Sequence, residues 1–159
     1  MADMDEIDLA LIELLQKDAR TPQAQLAAQV GLAASSVNER IRKLGERGLI
    51  VGYHAEISAE AMGYDLLAFI YVAWSKPETE KVFLKKIVSQ AVIMEAHHVT
   101  GTWNYMLKVR VKNTRMLEGF LAKVIKAVPG IERTETVIVL SSTKETMQIP
   151  TREPDWMEK

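Results

Sequence analysis

The strongest constraint on this chain lies between Thr21 and Ile50, where the sequence after the threonine reads P-Q-A-Q-L-A-A-Q-V-G-L-A-A-S-S-V-N-E-R-I-R-K-L-G-E-R-G-L-I. Two short helices joined by a glycine turn are written there. Leu26, Ala27 and Val30 share one side of the first helix. Pro22 suits its opening turn, because the missing N–H needs no partner at that position, and Thr21 stands where a cap belongs. Gly31 closes the helix in the left-handed backbone that residues with a Cβ resist. The small Ala27 lets the second helix cross closely. In that second helix Val37, Ile41 and Leu44 recur at the i, i+4, i+7 spacing of a buried stripe, with Ser35 or Ser36 as the cap. This is the pattern of a helix-turn-helix, whose partner is a nucleic-acid duplex.

The other faces of the second helix follow from a rotation of about 100° per residue. Ser36, Arg40, Lys43 and Arg47 fall on one flank and are assigned mainly to phosphates. Ser35, Asn38, Glu39 and Arg42 lie further round on the outer face, toward its N-terminal end, and are assigned mainly to base edges. Glu39 is unusual beside DNA: it either accepts from a cytosine amino group or pairs with Arg42 or Lys43. A bare basic helix is more often an ordinary solvated one. The turn signature before it tips the reading toward DNA. Gly45, inside the same helix, costs about 1 kcal/mol relative to Ala.

A further helix precedes the pair, with Ile7, Leu11 and Leu15 on its inner side and Ile12 and Leu14 nearby. Its acidic residues crowd the first turn, where the helix dipole favours negative charge, so they read as helix stabilisation rather than as a catalytic carboxylate pair. Gly48 ends the recognition helix and residues 49–57 look extended, which predicts a winged three-helix domain.

Charge sets a condition on any duplex binding. The 159-residue chain carries a net charge of −1, yet through Glu60 it holds ten acidic and six basic residues, leaving the rear half positive. Affinity for DNA must therefore come from the local patch at Arg40, Arg42, Lys43 and Arg47, and a single copy of such a patch binds weakly. Dimerisation is the expected remedy, because two heads on two half-sites gain effective concentration.

The rear half supplies the means. Residues 66–74 form a dense apolar run suited to a buried strand. Residues 78–90 place Val82, Phe83, Ile87 and Val88 at helical spacing, and residues 92–100 are extended again. After the Gly101 turn, Tyr105, Leu107, Val109 and Val111 alternate with Met106, Lys108, Arg110 and Lys112, the period of two of a strand with one wetter face. A helix from Thr114 turns Met116, Leu117, Phe120, Leu121, Val124 and Ile125 inward until Pro129 and Gly130 stop it, and residues 131–141 make the last strand. The fold class is α+β: an N-terminal winged helix-turn-helix followed by a βαββαβ ferredoxin-like unit. Helices on one face of such a sheet leave the other face uncovered with apolar residues on it, and a second copy is the expected cover.

The order D-x-x-D-x-x-L-I-x-L-L-Q-K-D-A-R, L-A-x-x-V-G-L and R-I-x-K-L-x-x-x-G-L-I-x-G-Y, continued by E-A-H-H-V-T-G-T-W-N-Y-M-L-K-V, V-P-G-I-E-R-T-E-T and V-L-S-S-T-K-E-T, resembles the Lrp/AsnC family of prokaryotic transcription factors, the feast/famine regulators. The likeness covers nearly the whole chain. It implies a DNA-binding domain over 1–52, an extended linker over 53–65, an ACT-like effector-binding and oligomerisation (RAM) domain over 66–149, and a tail over 150–159. It also implies a homodimer formed through the sheets, built up in rings such as an octamer of four dimers, and an amino-acid effector as ligand. The effector positions that match are Thr100, Gly101, Thr102, Trp103, Asn104 and Tyr105, with Thr134 and Thr136 on the last strand as further candidates. Backbone N–H groups near a glycine turn hold a carboxylate, and a polar side chain beside them takes an ammonium. Many members of the resembled family place Asp where this chain has Thr102 and Asn104, which alters or removes the charged partner of an α-amino group. Trp103 is either a packing plug at a subunit seam or part of a ligand wall.

Other chemistries find little footing. Adjacent His97 and His98 on a strand point to opposite faces, and nothing near them completes a metal site. No nucleophile elbow, dinucleotide fingerprint or phosphate loop is present. No run is apolar enough to span a membrane, no signal peptide opens the chain, and cysteine is absent, so no cofactor or metal is expected and the cytoplasm is the expected location. The leading function is a sequence-specific transcriptional regulator responsive to an amino acid or related molecule. An architectural DNA-binding protein without effector is the alternative, and a small metabolic enzyme a distant third.

Overall fold

The computed structural model describes residues 4–157 and divides into two compact units. The first runs to Glu56 and also takes in the chain from Glu145 onward; the second spans Ile57–Lys144. Residues 148–152 bond to the first helix of the front unit. Positions 1–3 and 158–159 of the expected front domain and tail lie outside the described residues.

The front unit holds α1 (Glu6–Lys17), α2 (Gln23–Val30) and α3 (Ala34–Glu46). Asp5 caps α1 by accepting from the Asp8 backbone N–H at 2.9 Å. The caps of the next two helices differ from expectation. The Thr21 hydroxyl donates to the Asp18 carbonyl instead, Pro22 takes the N-cap position of α2, and Ala33 takes that of α3 with no side-chain bond. Ser35 and Ser36 consequently sit inside the first turn of α3. Gly31 does adopt the left-handed conformation, with φ of 70°, and its N–H and that of Leu32 close on the Ala27 carbonyl. Leu11, Leu26, Ala27 and Val37 make the core, with Ile41 half-buried against it. Residues 51–58 form no strand among the described residues, so the expected wing lacks a strand ribbon. A ribbon needs two paired segments, and this stretch offers only one.

The rear unit is a four-stranded antiparallel sheet in the order β2-β3-β1-β4, made of β1 (Leu66–Ala73), β2 (Ile93–His98), β3 (Tyr105–Val111) and β4 (Arg133–Ile138). Between strands run α4 (Glu78–Ile87) and α5 (Thr114–Phe120), the latter continued by a π turn over Leu121–Ile125. This is the βαββαβ arrangement read from the sequence. Tyr105, Leu107, Val109 and Val111 all face the core, as their alternation requires. In α4 the buried stripe is Thr79, Phe83 and Ile87, four residues apart, so of the four apolar residues at helical spacing Phe83 and Ile87 are buried and Val82 and Val88 are exposed. On the opposite sheet face Phe69 pairs across strands with Lys108 and Val137 and is only half-buried, and Val137 is exposed.

Candidate nucleic-acid interface and ligand cleft

In α3 the core stripe is Val37 and Leu44, with Ile41 half-buried between them. Val37 is 0% and Leu44 1% exposed, while Ser35, Ser36, Asn38, Glu39, Lys43 and Arg47 are exposed. Burial of such a stripe contributes about 1.5–3 kcal/mol per large apolar side chain and fixes the rotation of the helix. That rotation turns the opposite side outward.

The charges on that side are already engaged. Arg42 grips Glu39 in a two-pronged pair, Nε to Oε2 at 2.9 Å and Nη2 to Oε1 at 2.6 Å, and also reaches Glu46. Lys43 Nζ lies 3.5 Å from Glu39. Of the alternatives for Glu39, pairing with Arg42 and Lys43 is what the structure displays. The Arg42 guanidinium holds the Glu39 carboxyl down at about 2. Asn38 Oδ1 accepts from Gln23 Nε2 at 2.9 Å, tying α3 to α2.

Arg40 reaches across to α1. Its Nη1 donates to Asp8 Oδ1 at 2.7 Å and to Asp5 Oδ2 at 2.8 Å, so it clamps the start of α1 to the middle of α3. Those bonds raise the Arg40 pKa, with Asp8 the larger influence. The first-turn acids of α1 thus do more than complement a helix dipole. The signal was present as carboxylates at i and i+3, on one face of the helix. With Asp8, Ser36, Glu39, Lys43 and Arg47, Arg40 lines a hollow of about 370 Å³ on the flank of α3.

The second concavity lies at one end of the sheet in the rear unit, a cleft of about 270 Å³. Of the expected effector positions, Gly101, Thr102, Trp103 and Asn104 line it. The others do not. Tyr105 is turned into the core, where it stacks on His98 and Trp74 and its hydroxyl donates to Glu80 at 2.9 Å; burial, then Glu80, raises its pKa. Thr134 and Thr136 pair with Val72 and Ile70 and share their helix-covered face, and Thr100 is exposed beside the turn. Asn104 is a fastener: its Oδ1 accepts from the Trp74 N–H at 2.8 Å, and its own N–H donates to the Val72 carbonyl at 2.9 Å. Trp103 packs against Tyr71 and beneath Arg133, whose guanidinium lies 4.8 Å from its ring centre. Sequence reasoning missed Ser75, Glu132 and Arg133 on the cleft wall. Their only signal was a charge pair just after the Pro129–Gly130 turn, and only the strand order brings it beside the Gly101 turn.

His97 and His98 do point apart. His97 lies 3.1 Å from Glu95 on one face, and His98 stacks on Tyr105. The Glu95 carboxyl is held below its ordinary value by His97 first and Lys108 second. Among the described residues no helix is long and apolar enough to cross a membrane.

A helix-turn-helix head joined to a βαββαβ unit with a polar cleft at the end of its sheet defines a class of two-domain DNA-binding regulators. Comparison makes the class specific. Residues 4–45 match the AsnC-type helix-turn-helix domain and residues 67–149 match the Lrp/AsnC ligand binding domain; the chain belongs to the Lrp/AsnC family of transcriptional regulators. It is 40% identical to HTH-type transcriptional regulator FL11 of Pyrococcus abyssi, over 92% of this chain and 96% of that protein. It is 30% identical to the regulatory protein AsnC of Haemophilus influenzae, over 89% and 95%. Among solved structures, AsnC of E. coli superimposes with a TM-score of 0.86 at 29% identity, covering 94% of this chain and 99% of that one. The fold is also that of a Neisseria meningitidis transcriptional regulator in complex with L-Met, with a TM-score of 0.89 at 23% identity, covering 92% and 96%. Membership places the chain among transcriptional regulators rather than enzymes.

Proposed function

We propose that this regulator binds duplex DNA as a homodimer or larger assembly, with α3 in the major groove and an amino acid in the sheet-end cleft modulating its occupancy. The observation that carries the reading is α3 itself: its apolar stripe is locked inward and its other side is exposed, with hydroxyl, amide and cationic groups along it. Ser35, Asn38 and Arg42 face base edges, while Ser36, Lys43 and Arg47 meet phosphates. Arg40 serves the same flank by fixing α3 against α1. The acidic balance of the front half and the apolar residues on the open sheet face both support assembly of more than one copy, and rings up to an octamer of four dimers are consistent with the family. The site of action is the cytoplasm, with the DNA.

Gel shifts on the DNA upstream of the protein's own coding region test the reading. Arg42→Ala and Lys43→Ala weaken binding, and Lys43→Ala lowers the dependence of log K on log salt by about 0.9 per head. Unchanged binding in both variants removes α3 from the mechanism. The absence of acids at Thr102 and Asn104 favours a second reading, an architectural protein without effector, which requires that no amino acid raise the melting temperature. A ligand at 100 times its Kd adds about 2.7 kcal/mol and is readily seen.

A further inference from the structure

We infer that Glu132 and Arg133 are the charged anchors of the sheet-end cleft, and that they select a small polar α-amino acid over a branched aliphatic one. The inference rests on the proposal that this cleft holds an amino-acid effector, and deepens it by naming the groups and the ligand class.

Both residues line the cleft, and each is held in place by neighbours that leave capacity for a ligand. Glu132 accepts from the Ser75 N–H at 3.2 Å and from the Ser75 hydroxyl at 2.8 Å, while its own N–H donates to the Ala73 carbonyl at 2.9 Å. A carboxylate offers about four acceptor sites, so two hydrogen bonds leave room for an ammonium. Arg133 donates one N–H to the Thr102 carbonyl at 2.9 Å and its guanidinium lies over the Trp103 ring, 4.8 Å from the centre. A guanidinium has five N–H groups in a rigid fork, and a fork fixed by stacking is ready for two-pronged carboxylate binding.

Glu132 and Arg133 carry opposite charges, both line the cleft, and they hold different partners, Ser75 on one side and Thr102 with Trp103 on the other. A zwitterionic α-amino acid presents the complementary pair, its carboxylate to Arg133 and its ammonium to Glu132. Glu132 thereby replaces the acids absent at Thr102 and Asn104, the second of which is engaged with Trp74.

Size and lining narrow the class. At about 270 Å³ the cleft is below the roughly 300 Å³ at which ordinary small-molecule sites begin, which suits a ligand the size of an amino acid. No Leu, Ile, Val or Met lines it. An aliphatic side chain gains little there, whereas a hydroxyl or amide meets Thr102 and Ser75.

Calorimetric titration of the full-length protein, as it assembles, with serine, asparagine, glutamine, leucine, isoleucine and methionine tests this. At least one polar ligand should bind about tenfold or more tighter than leucine, and Glu132→Gln and Arg133→Gln should each weaken it about ten- to a hundredfold. Glu132→Asp should restore part of the loss. Far-UV circular dichroism melts check folding; where a substitution at 132 or 133 unfolds the protein, Ser75→Ala, which removes the hydroxyl that orients the Glu132 carboxylate, is the variant expected to weaken binding. Polar binding that is unchanged in all of these variants overturns the anchors and leaves the effector reading standing. Tighter binding of leucine, isoleucine or methionine overturns the ligand class. No binding of any amino acid at concentrations on the order of 10 mM overturns both.

Discussion

Arg40→Ala destabilises the head before it touches DNA. Arg40 holds two carboxylates, and they are unequal: the Asp8 side chain is 11% exposed, against 52% for Asp5. The Asp5 arm is well solvated, and Asp5 keeps its bond to the Asp8 N–H after the change, so that arm contributes little. The Asp8 arm is different, because truncation leaves a nearly buried carboxylate without its charged partner, which costs about 1–3 kcal/mol. For a domain of this size each kcal/mol lowers the melting temperature by about 4–8 °C. Urea denaturation of wild type, Arg40→Ala, Asp8→Asn and the double variant measures the coupling directly, and the structure requires the two single losses to be strongly non-additive. A gel shift run well below the melting temperature then separates the roles, since a positioning residue weakens binding while leaving the salt slope nearly intact. Additive stability changes, or an Arg40→Ala loss below about 0.5 kcal/mol, would refute the clamp.

Four further outcomes follow from single sites. Gly45→Ala stabilises the protein by about 1 kcal/mol in thermal melts, because Gly45 is helical and an added Cβ would come no nearer than 4.0 Å to the Ile50 carbonyl oxygen. Gly130→Ala instead lowers the melting temperature of the rear unit, since φ is 90° and a Cβ there is driven into the Thr79 hydroxyl. A chain ending at Lys144 loses the bonds of Gln16 to Gln148 and Ile149, at 2.7 and 3.0 Å, and denaturant midpoints should show the head weakened by about 1–3 kcal/mol. Acid acts through Asp5, whose carboxyl is held below its ordinary 3.8 by the Asp8 N–H and then by Arg40. A depressed carboxyl contributes stability that is full above its unfolded value and is lost as pH falls through its folded value, and Glu39, lowered from 4.5 to about 2, acts in the same direction, so the melting temperature declines as pH falls below about 4.5.

The parts of this molecule that the sequence made legible are those in which neighbouring residues carry the information. Val37 and Leu44 are buried because a helix of that pattern has one apolar side, and Tyr105 to Val111 alternate because a strand has two faces. Gly31 sits left-handed for a reason internal to its own turn. What stayed hidden depends on distant partners. Arg40 looked like any other flank cation until Asp5 and Asp8, more than thirty residues away in the chain, were brought against it. Val82 and Val88 matched helical spacing, but the register of α4 on the sheet is set by Thr79, Phe83 and Ile87, and those three exclude them. Glu132 and Arg133 became visible only through the strand order, which sets the start of β4 beside the end of β1 and the Gly101 turn.

The acidic balance of a DNA-binding half has a physical logic in these pairings. Asp5, Asp8, Glu39 and Glu46, four of the ten acidic residues through Glu60, are matched to Arg40, Arg42 and Lys43 of the recognition helix. In the proposed complex a phosphate reaching Lys43 must compete with Glu39, and it gains only the difference between two charged partners. Non-specific affinity, which comes almost wholly from phosphates, is therefore held down. The Ser35 hydroxyl faces no carboxylate competitor of this kind, and Asn38 has only the neutral Gln23 amide to exchange for a base edge, so their bonds at a matching site are discounted less. A weak, selective head becomes useful when a second head is tethered to it, because the second half-site is then met at high effective concentration. Head chemistry and assembly are thus two requirements of one design: carboxylates on α3 make single-head binding poor, and the apolar face of the rear sheet gives the chain a surface on which to pair.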